Sequence, residues 1–256
     1  MAIALGMGKS NAHRVLTTLR ELGYVVSLDD GRYQATLKTW EVGCAVLDRL
    51  DFKRLARPVM ETLTKSTSES CHLAVLDGLD VVYLDKVEGN QPVRTYSRIG
   101  QRAPAHVVAI GKVLLAFQVG VEKVLPKKVQ RLTARSIFTR AALLKELESV
   151  RVAGYAINRG EWLDGVCGIG APILNSRNEV ICAIGLSGPC SRLTLNKLEA
   201  LAPQVMECAR TISFQLGYRP ISKRSIVTRA LDAEMHADDV TVRPPAKRIR
   251  RPLTAV

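Results

Sequence analysis

The chain has 256 residues, 47% of them apolar, at a mean hydropathy near zero, which suits a small domain joined to a medium one with a sizeable core. Its longest apolar runs, such as VVAIGKVLLAF (107–117), are broken by Lys112 and fall short of the ~18 residues that a membrane span needs. No basic stretch leads into an apolar core at the start, so neither a signal peptide nor a membrane partner is expected. The net charge of +13, from 37 basic and 24 acidic side chains, points to a polyanionic partner.

Residues 9–22 place Ala12, Val15, Leu16, Leu19 and Leu22 on one helical face, and Gly23 ends the helix. YVVSL (24–28) and RYQAT (32–36), joined by Asp29-Asp30-Gly31, form a predicted hairpin, because Gly31 tolerates the positive φ of the turn. A helix followed by a short hairpin is the closing half of a winged helix-turn-helix. The next predicted helix, 37–50, carries Leu37, Trp40, Cys44, Leu47 and Leu50 on one side. Asp51 reads as the N-cap of a helix over 52–66 that contains Pro58.

From Cys71 the period becomes that of strands: CHLAVLD, DVVYLDKV and VRTYSR (93–98) read as a three-strand antiparallel meander. Helices are expected over 106–118, 121–127 and 140–153, the last capped by Thr139 and closed by Gly154. Strand 155–159 precedes a hairpin of GVCGIGAPILN (165–175) and EVICAIGLSGP (179–189). A long helix runs from Thr194 to about Leu216, with Gly217 at its end. Residues 219–256 hold nine Lys or Arg against four acids, and RPPAKRIRR (243–251) within them reads as a disordered basic tail.

Six cysteines, at 44, 71, 167, 182, 190 and 208, show no C-x-x-C spacing. They are expected to be reduced cytoplasmic thiols packed in apolar elements, with no metal site and no cofactor. G-x-S-x-G, H-E-x-x-H and P-loop patterns are absent. GVCGIG (165–170) has the wrong spacing and setting for a dinucleotide loop, so an enzyme is not expected.

On helix 9–22 the face opposite the apolar stripe carries Ser10, Asn11, His13, Arg14, Thr17, Thr18 and Glu21. An ordinary solvated helix has such a face too. In a helix-turn-helix, however, Lys9, Ser10 and Asn11 would stand at the N-terminus that enters the major groove. Free N–H groups there favour phosphate. Arg14, one turn on, would reach a base edge or a phosphate. Arg32 would lie on the wing.

GMGKSNAHRVLTTLRELGYV (6–25) resembles the recognition helix of the IclR family of bacterial transcription regulators. The similarity continues through SESCHLAVLDGLDVVYLDKVEG (68–89), RIGQRAPAHVVAIGKVLLAF (98–117), GVCGIGAPILN and AIGLSGP (183–189), covering roughly 1–218. The resemblance implies an α+β chain: a winged helix-turn-helix over 1–36, a linker helix over 37–51 and a GAF-like antiparallel-sheet effector domain over 52–218. It implies double-stranded operator DNA and a small organic acid as partners, and homodimers or homotetramers with helix 37–50 at the dimer contact. Members carry a first helix and most of a second ahead of the recognition helix. Here MAIALGM precedes Gly8, so a partial winged helix is expected. A ligand-sensing module without DNA binding is the alternative, and an enzyme on a GAF-like scaffold a more remote one.

In the family, backbone N–H groups opening a helix bind the effector carboxylate. By this resemblance that loop is Val108-Ala109-Ile110-Gly111, with Ala109 and Ile110 as binding residues. The remaining contacts fall on Asn158, Gly168, Gly185 and Ser187, with Val166 an apolar wall. Members that take two- and three-carbon acids have Asp, Cys and Ser where this chain has Asn158, Gly168 and Gly185. Those losses remove hydrogen-bond partners and enlarge the cavity, which favours a larger, more apolar acid, aromatic acids included. Trp162, Tyr96 and Leu114 are further candidate walls. Each residue also has a structural reading: close packing for the two glycines, strand termination for Asn158, turn chemistry for Ser187 and a structural histidine at His106.

Overall fold

A computed structural model describes residues 6–47, 51–93 and 97–220, and for residues 43–47 and 51 the backbone alone. The chain divides into two units, Met1–Tyr218 and Arg219–Val256. Beyond Arg219 and Pro220 the basic tail lies outside the described residues.

Helix α1 (Lys9–Glu21) buries Ala12, and Gly23 reverses the chain at φ +77°. The amide of Tyr24 donates to the Leu19 carbonyl, completing a helix-closing turn. Strands β1 (Val25–Ser27) and β2 (Tyr33–Ala35) pair antiparallel, and Gly31 takes φ +78° in their turn. Helix α2 (Leu37–Leu47) follows. Its first turn grips α1: Thr36 Oγ1 donates to the Gly23 carbonyl (2.6 Å) and Lys38 Nζ to that of Leu22 (2.8 Å). The ammonium therefore sits at the negative end of the α1 dipole.

Helix α3 (Asp51–Thr67) begins at Asp51 itself, where the sequence placed a cap, and continues through Pro58. Strands β3 (Ser70–Asp77) and β4 (Asp80–Val87) follow as expected. The third strand is not 93–98, of which 94–96 lie outside the described residues, but β5 (Arg102–Pro104). It pairs with Asp80–Val82, and the Arg102 guanidinium fastens it to Asp77 (2.7 Å) and Asp80 (3.3 Å).

The expected helix 106–118 is divided. A 3-10 turn (Ala105–Val107) is followed by an extended Val108 and then α4 (Ala109–Phe117). Gly111 permits this fold-back, since a Cβ there would lie 2.2 Å from the Ala105 carbonyl oxygen. Helix α5 is one turn (Val121–Val124), shorter than the predicted 121–127. Helix α6 (Arg140–Ala153) is capped by Thr139 and closed by Gly154. Strands β6 (Ala156–Arg159), β7 (Val166–Leu174) and β8 (Val180–Pro189) precede α7 (Leu195–Gln215), capped by Thr194.

Six strands form one antiparallel sheet in the order β5-β4-β3-β8-β7-β6. Alternation assigns its faces. Cys71, Leu73, Ile169, Ile173, Ile184 and Leu186 pack against α3 and α7, while Ala74, Ala156 and Ala183 face α4 and α6. The second face is paved with small residues, which lets α4 settle directly on the strands.

The expectation of six reduced thiols is corrected by a disulfide between Cys167 and Cys190, whose Cα atoms are 4.8 Å apart. Cys167 opposes Gly188 in the β7–β8 ladder, and Cys190 lies two residues past that pair. Hairpin pairing thus brings the two sulfurs together across 23 residues. Cys71, Cys182 and Cys208 are free; Cys44 lies where only the backbone is described. No described helix is long and apolar enough to cross a membrane.

Candidate functional site

Sheet register builds the site. Asn158 pairs with Gly168, Gly168 with Ser187 and Ser187 with Ser70, which makes one row across four strands. The next row on the same face is Ala156, Gly170, Gly185 and His72. The N-terminus of α4 rests on this second row: a Cβ on Gly170 would lie 2.9 Å from the Ile110 nitrogen, and one on Gly185 2.8 Å from Ile110 Cγ1. Beside that contact is a cavity of about 140 Å³. Val108, Ala109 and Ile110 line it from α4, Asn158, Trp162, Leu163 and Val166 from the β6–β7 segment, and Gly168, Ile169, Leu186 and Ser187 from the central hairpin. His72, Tyr83 and Ser97 line its remaining side.

Ala109, Ile110, Asn158, Val166, Gly168 and Ser187 are thus brought to one cavity. Gly185 is not among the lining residues, because Ile110 occupies the room a side chain there would take. Omitting a side chain at this position therefore does not widen the cavity. Gly168 has a packing reason as well, since its Cβ would meet the Leu186 carbonyl oxygen at 2.6 Å. Trp162 is a wall; Leu114 is not, and Tyr96 lies outside the described residues. His106 binds the Gln130 carbonyl through Nε2 (2.8 Å), a structural role.

Among the described residues, no cation lines the cavity. The positive end of the site is the first turn of α4, where Val108 supplies no side-chain cap to the amides. Such free N–H groups, together with the helix dipole, favour an anion. Asn158 Oδ1 accepts from the amides of Gly160 (3.0 Å) and Glu161 (2.8 Å), which leaves its Nδ2 as a donor to a ligand.

His72 is buried, with Nε2 2.7 Å from Ser97 Oγ and its ring edge-on to Tyr83 at 5.4 Å. Burial, then the nearby Lys86 charge, pushes its pKa down to about 3. The folded protein therefore holds a neutral imidazole where the unfolded chain, below about pH 6.5, holds a cation. Stability falls as the pH drops from about 6.5 toward 3, by up to about 1.4 kcal/mol per pH unit from this residue. Denaturant titrations at pH 6.5 and 5 should show a smaller pH loss in His72→Asn than in the parent. Equal losses in both would contradict a buried neutral imidazole.

Beneath the cavity lies a charge network that the sequence did not announce. Lys112, on α4, is 0% exposed, and its Nζ reaches Glu161 Oε1 (2.7 Å), Glu146 Oε1 (3.0 Å) and the Ile157 carbonyl (3.0 Å). Ser136 Oγ donates to the Glu161 carbonyl (2.6 Å) and Thr133 Oγ1 to that of Gly160 (2.8 Å). These bonds tie the helix that presents Ala109 and Ile110 to the segment that presents Asn158 and Trp162.

In the N-terminal segment, Lys9, Ser10, Asn11 and Arg14 are all exposed. The first three occupy the uncapped first turn of α1, where Gly8 supplies no side chain. Arg32 is exposed on the hairpin, with its guanidinium on the Asp30 carboxylate (2.6–2.7 Å). That bond holds the Asp30 carboxyl below the usual range.

A family model described as the IclR C-terminal region of bacterial transcriptional regulators matches residues 44–214, and the IclR helix-turn-helix model matches residues 1–29. The chain belongs to the IclR family. It is a transcriptional regulator rather than an enzyme. The HTH-type transcriptional regulator KdgR of Escherichia coli is 36% identical over 216 residues, 83% of this chain and 82% of that protein. The Thermotoga maritima IclR structure superposes with a TM-score of 0.67 at 32% identity, covering 85% of this chain and 89% of that one. An IclR homologue from Microbacterium hydrocarbonoxydans, complexed with 4-hydroxybenzoate, gives a TM-score of 0.70 at 27% identity over 84% and 88% of the two chains.

His72, Tyr83, Ser97, Leu163, Ile169 and Leu186 are lining residues that sequence reasoning passed over. His72 and Tyr83 sit inside CHLAVLD and DVVYLDKV, which read as core strands. Even-numbered positions of β3 share the Asn158–Gly168–Ser187 face, and that alternation was the available signal for His72.

Proposed function

We propose that this IclR-family regulator binds operator DNA through α1 and the hairpin, and that an organic monocarboxylate in the sheet cavity modulates that binding. The domains are residues 1–36 for DNA, 37–51 for the connection, 52–218 for the effector and 219–256 for a basic tail. Lys9, Ser10, Asn11 and Arg14 meet the major groove and its phosphates, with Arg32 on the flanking backbone. Exposed Leu37, Trp40 and Val42 on α2 support self-association of copies in a cytoplasmic dimer or tetramer.

One observation carries the effector reading: a cavity walled mainly by apolar groups opens onto the uncapped N-terminus of α4. Ala109 and Ile110 hold the carboxylate, Asn158 and Ser187 supply polar contacts, and Val166 and Trp162 are walls. Gly168 and Gly185 keep the backbones close enough to form the floor. An aromatic monocarboxylate suits these walls, in keeping with the ligand of the Microbacterium homologue.

Fluorescence anisotropy with promoter fragments and random duplex tests the reading. The expected result is a salt-sensitive preference for a promoter fragment, shifted at least fivefold by 4-hydroxybenzoate or benzoate. Equal affinity for every duplex would contradict operator recognition. Acid binding with no measurable affinity for any duplex would favour the sensing module that does not bind DNA, and acid binding that leaves operator affinity unchanged would contradict modulation.

A further inference from the structure

The cavity has a second polar end. Tyr83 is 7% exposed, lines the cavity, and its hydroxyl has no hydrogen-bond partner among the described residues. Beside it are the His72 imidazole and the Ser97 hydroxyl, bonded to each other at 2.7 Å. That hydroxyl is not sealed in the protein interior, so it is left to hydrogen-bond whatever occupies the cavity. Register places this cluster opposite the helix terminus. The Ile110 nitrogen sits over Gly170 on β7, and His72 lies two strands away on β3 through Gly185, with Tyr83 on the strand beyond. Two strand spacings, to His72, are roughly 10 Å and three, to the Tyr83 strand, roughly 14 Å, a range that brackets one aromatic ring hydrogen-bonded at both ends.

Resting on the monocarboxylate reading above, we propose that Tyr83, with His72 and Ser97, determines specificity for an effector bearing a neutral hydroxyl or carbonyl at the end remote from its carboxylate. The cluster suits a neutral group because its members are neutral. Burial pushes the Tyr83 phenol up to about 12, and His72 is deprotonated throughout the physiological range. Lys86, across the ladder from His72, does not line the cavity, and its ammonium is held by Glu88 (2.9 Å) and the Ser97 carbonyl (3.2 Å). A second carboxylate would lose its hydration there without a cation among the described lining residues to replace it.

Calorimetric titration of the full chain with benzoate, 4-hydroxybenzoate and terephthalate tests this. The expected order is 4-hydroxybenzoate tighter than benzoate by about three- to tenfold, the range for one neutral hydrogen bond, with terephthalate weakest. In Tyr83→Phe the ratio of the two benzoate affinities should fall toward one. Ser97→Ala, which removes the hydroxyl bonded to His72, should reduce it as well. A preference for 4-hydroxybenzoate that survives Tyr83→Phe, or terephthalate binding as tightly as 4-hydroxybenzoate, would overturn the proposal while leaving the monocarboxylate site standing. If none of the three acids binds, the monocarboxylate reading fails and this proposal fails with it.

Discussion

Lys112→Met should lower the unfolding free energy by about 3–5 kcal/mol, the usual cost of removing one member of a buried ion pair. The Lys112 ammonium has no access to solvent and is, among the described residues, the one cation on the Glu161 carboxylate, which is itself 3% exposed. Without it, Glu161 Oε1 keeps the Arg159 amide at 3.2 Å, and Oε2 has no partner among the described residues even in the parent protein. Glu146 is less affected, since it is 22% exposed and has Arg159 at 3.6 Å. The measurement is the urea midpoint at unchanged slope. Lys112→Met combined with Glu161→Leu should recover most of the loss, because a buried pair replaced by apolar groups is often near neutral. A single-variant loss below about 1 kcal/mol, the range of an exposed pair, would mean that Lys112 is solvated.

Gly170→Val should abolish acid binding while the protein still folds. The added side chain would enter the space of the Ile110 nitrogen and Cα, at 2.9 and 3.0 Å from the new Cβ, and both are backbone atoms that cannot swing aside. Helix α4 must lift at its N-terminus, moving the two amides proposed to hold the carboxylate. Losing two charge-assisted hydrogen bonds weakens binding by about a hundredfold or more. The overpacking itself costs roughly 1–3 kcal/mol of stability. Titration with 4-hydroxybenzoate, alongside a circular dichroism melt, separates the two effects. Unchanged affinity in a folded Gly170→Val protein would place the acid away from α4.

Much of this architecture can be read from local pattern. The 3.6-residue period gives α1, Gly31 marks the wing turn, and Thr139 and Thr194 cap their helices as expected. What escaped depends on distant pairing. Lys112 reads as an interruption of an apolar run, because its carboxylate partners lie 34 and 49 residues away. Gly170 looks like one more small strand residue until α4 is seen resting on it. Strand β5 is three residues long and ends in Pro104, too short to carry a period. Cys167 and Cys190 become partners only once the β7–β8 register is known. The family resemblance led to six of the cavity residues, whereas His72 and Tyr83, on β3 and β4, emerged from the sheet geometry.

The central claim is that an acid is held by the first amides of α4. Backbone amide NMR shifts during titration with 4-hydroxybenzoate test it most directly. The Ala109 and Ile110 amides are expected to shift most, saturating together with the Asn158 side-chain amide. Saturable binding that leaves those three signals in place, with the largest shifts instead around Met206, Arg210 and Tyr218 on the α7 side of the sheet, would contradict it.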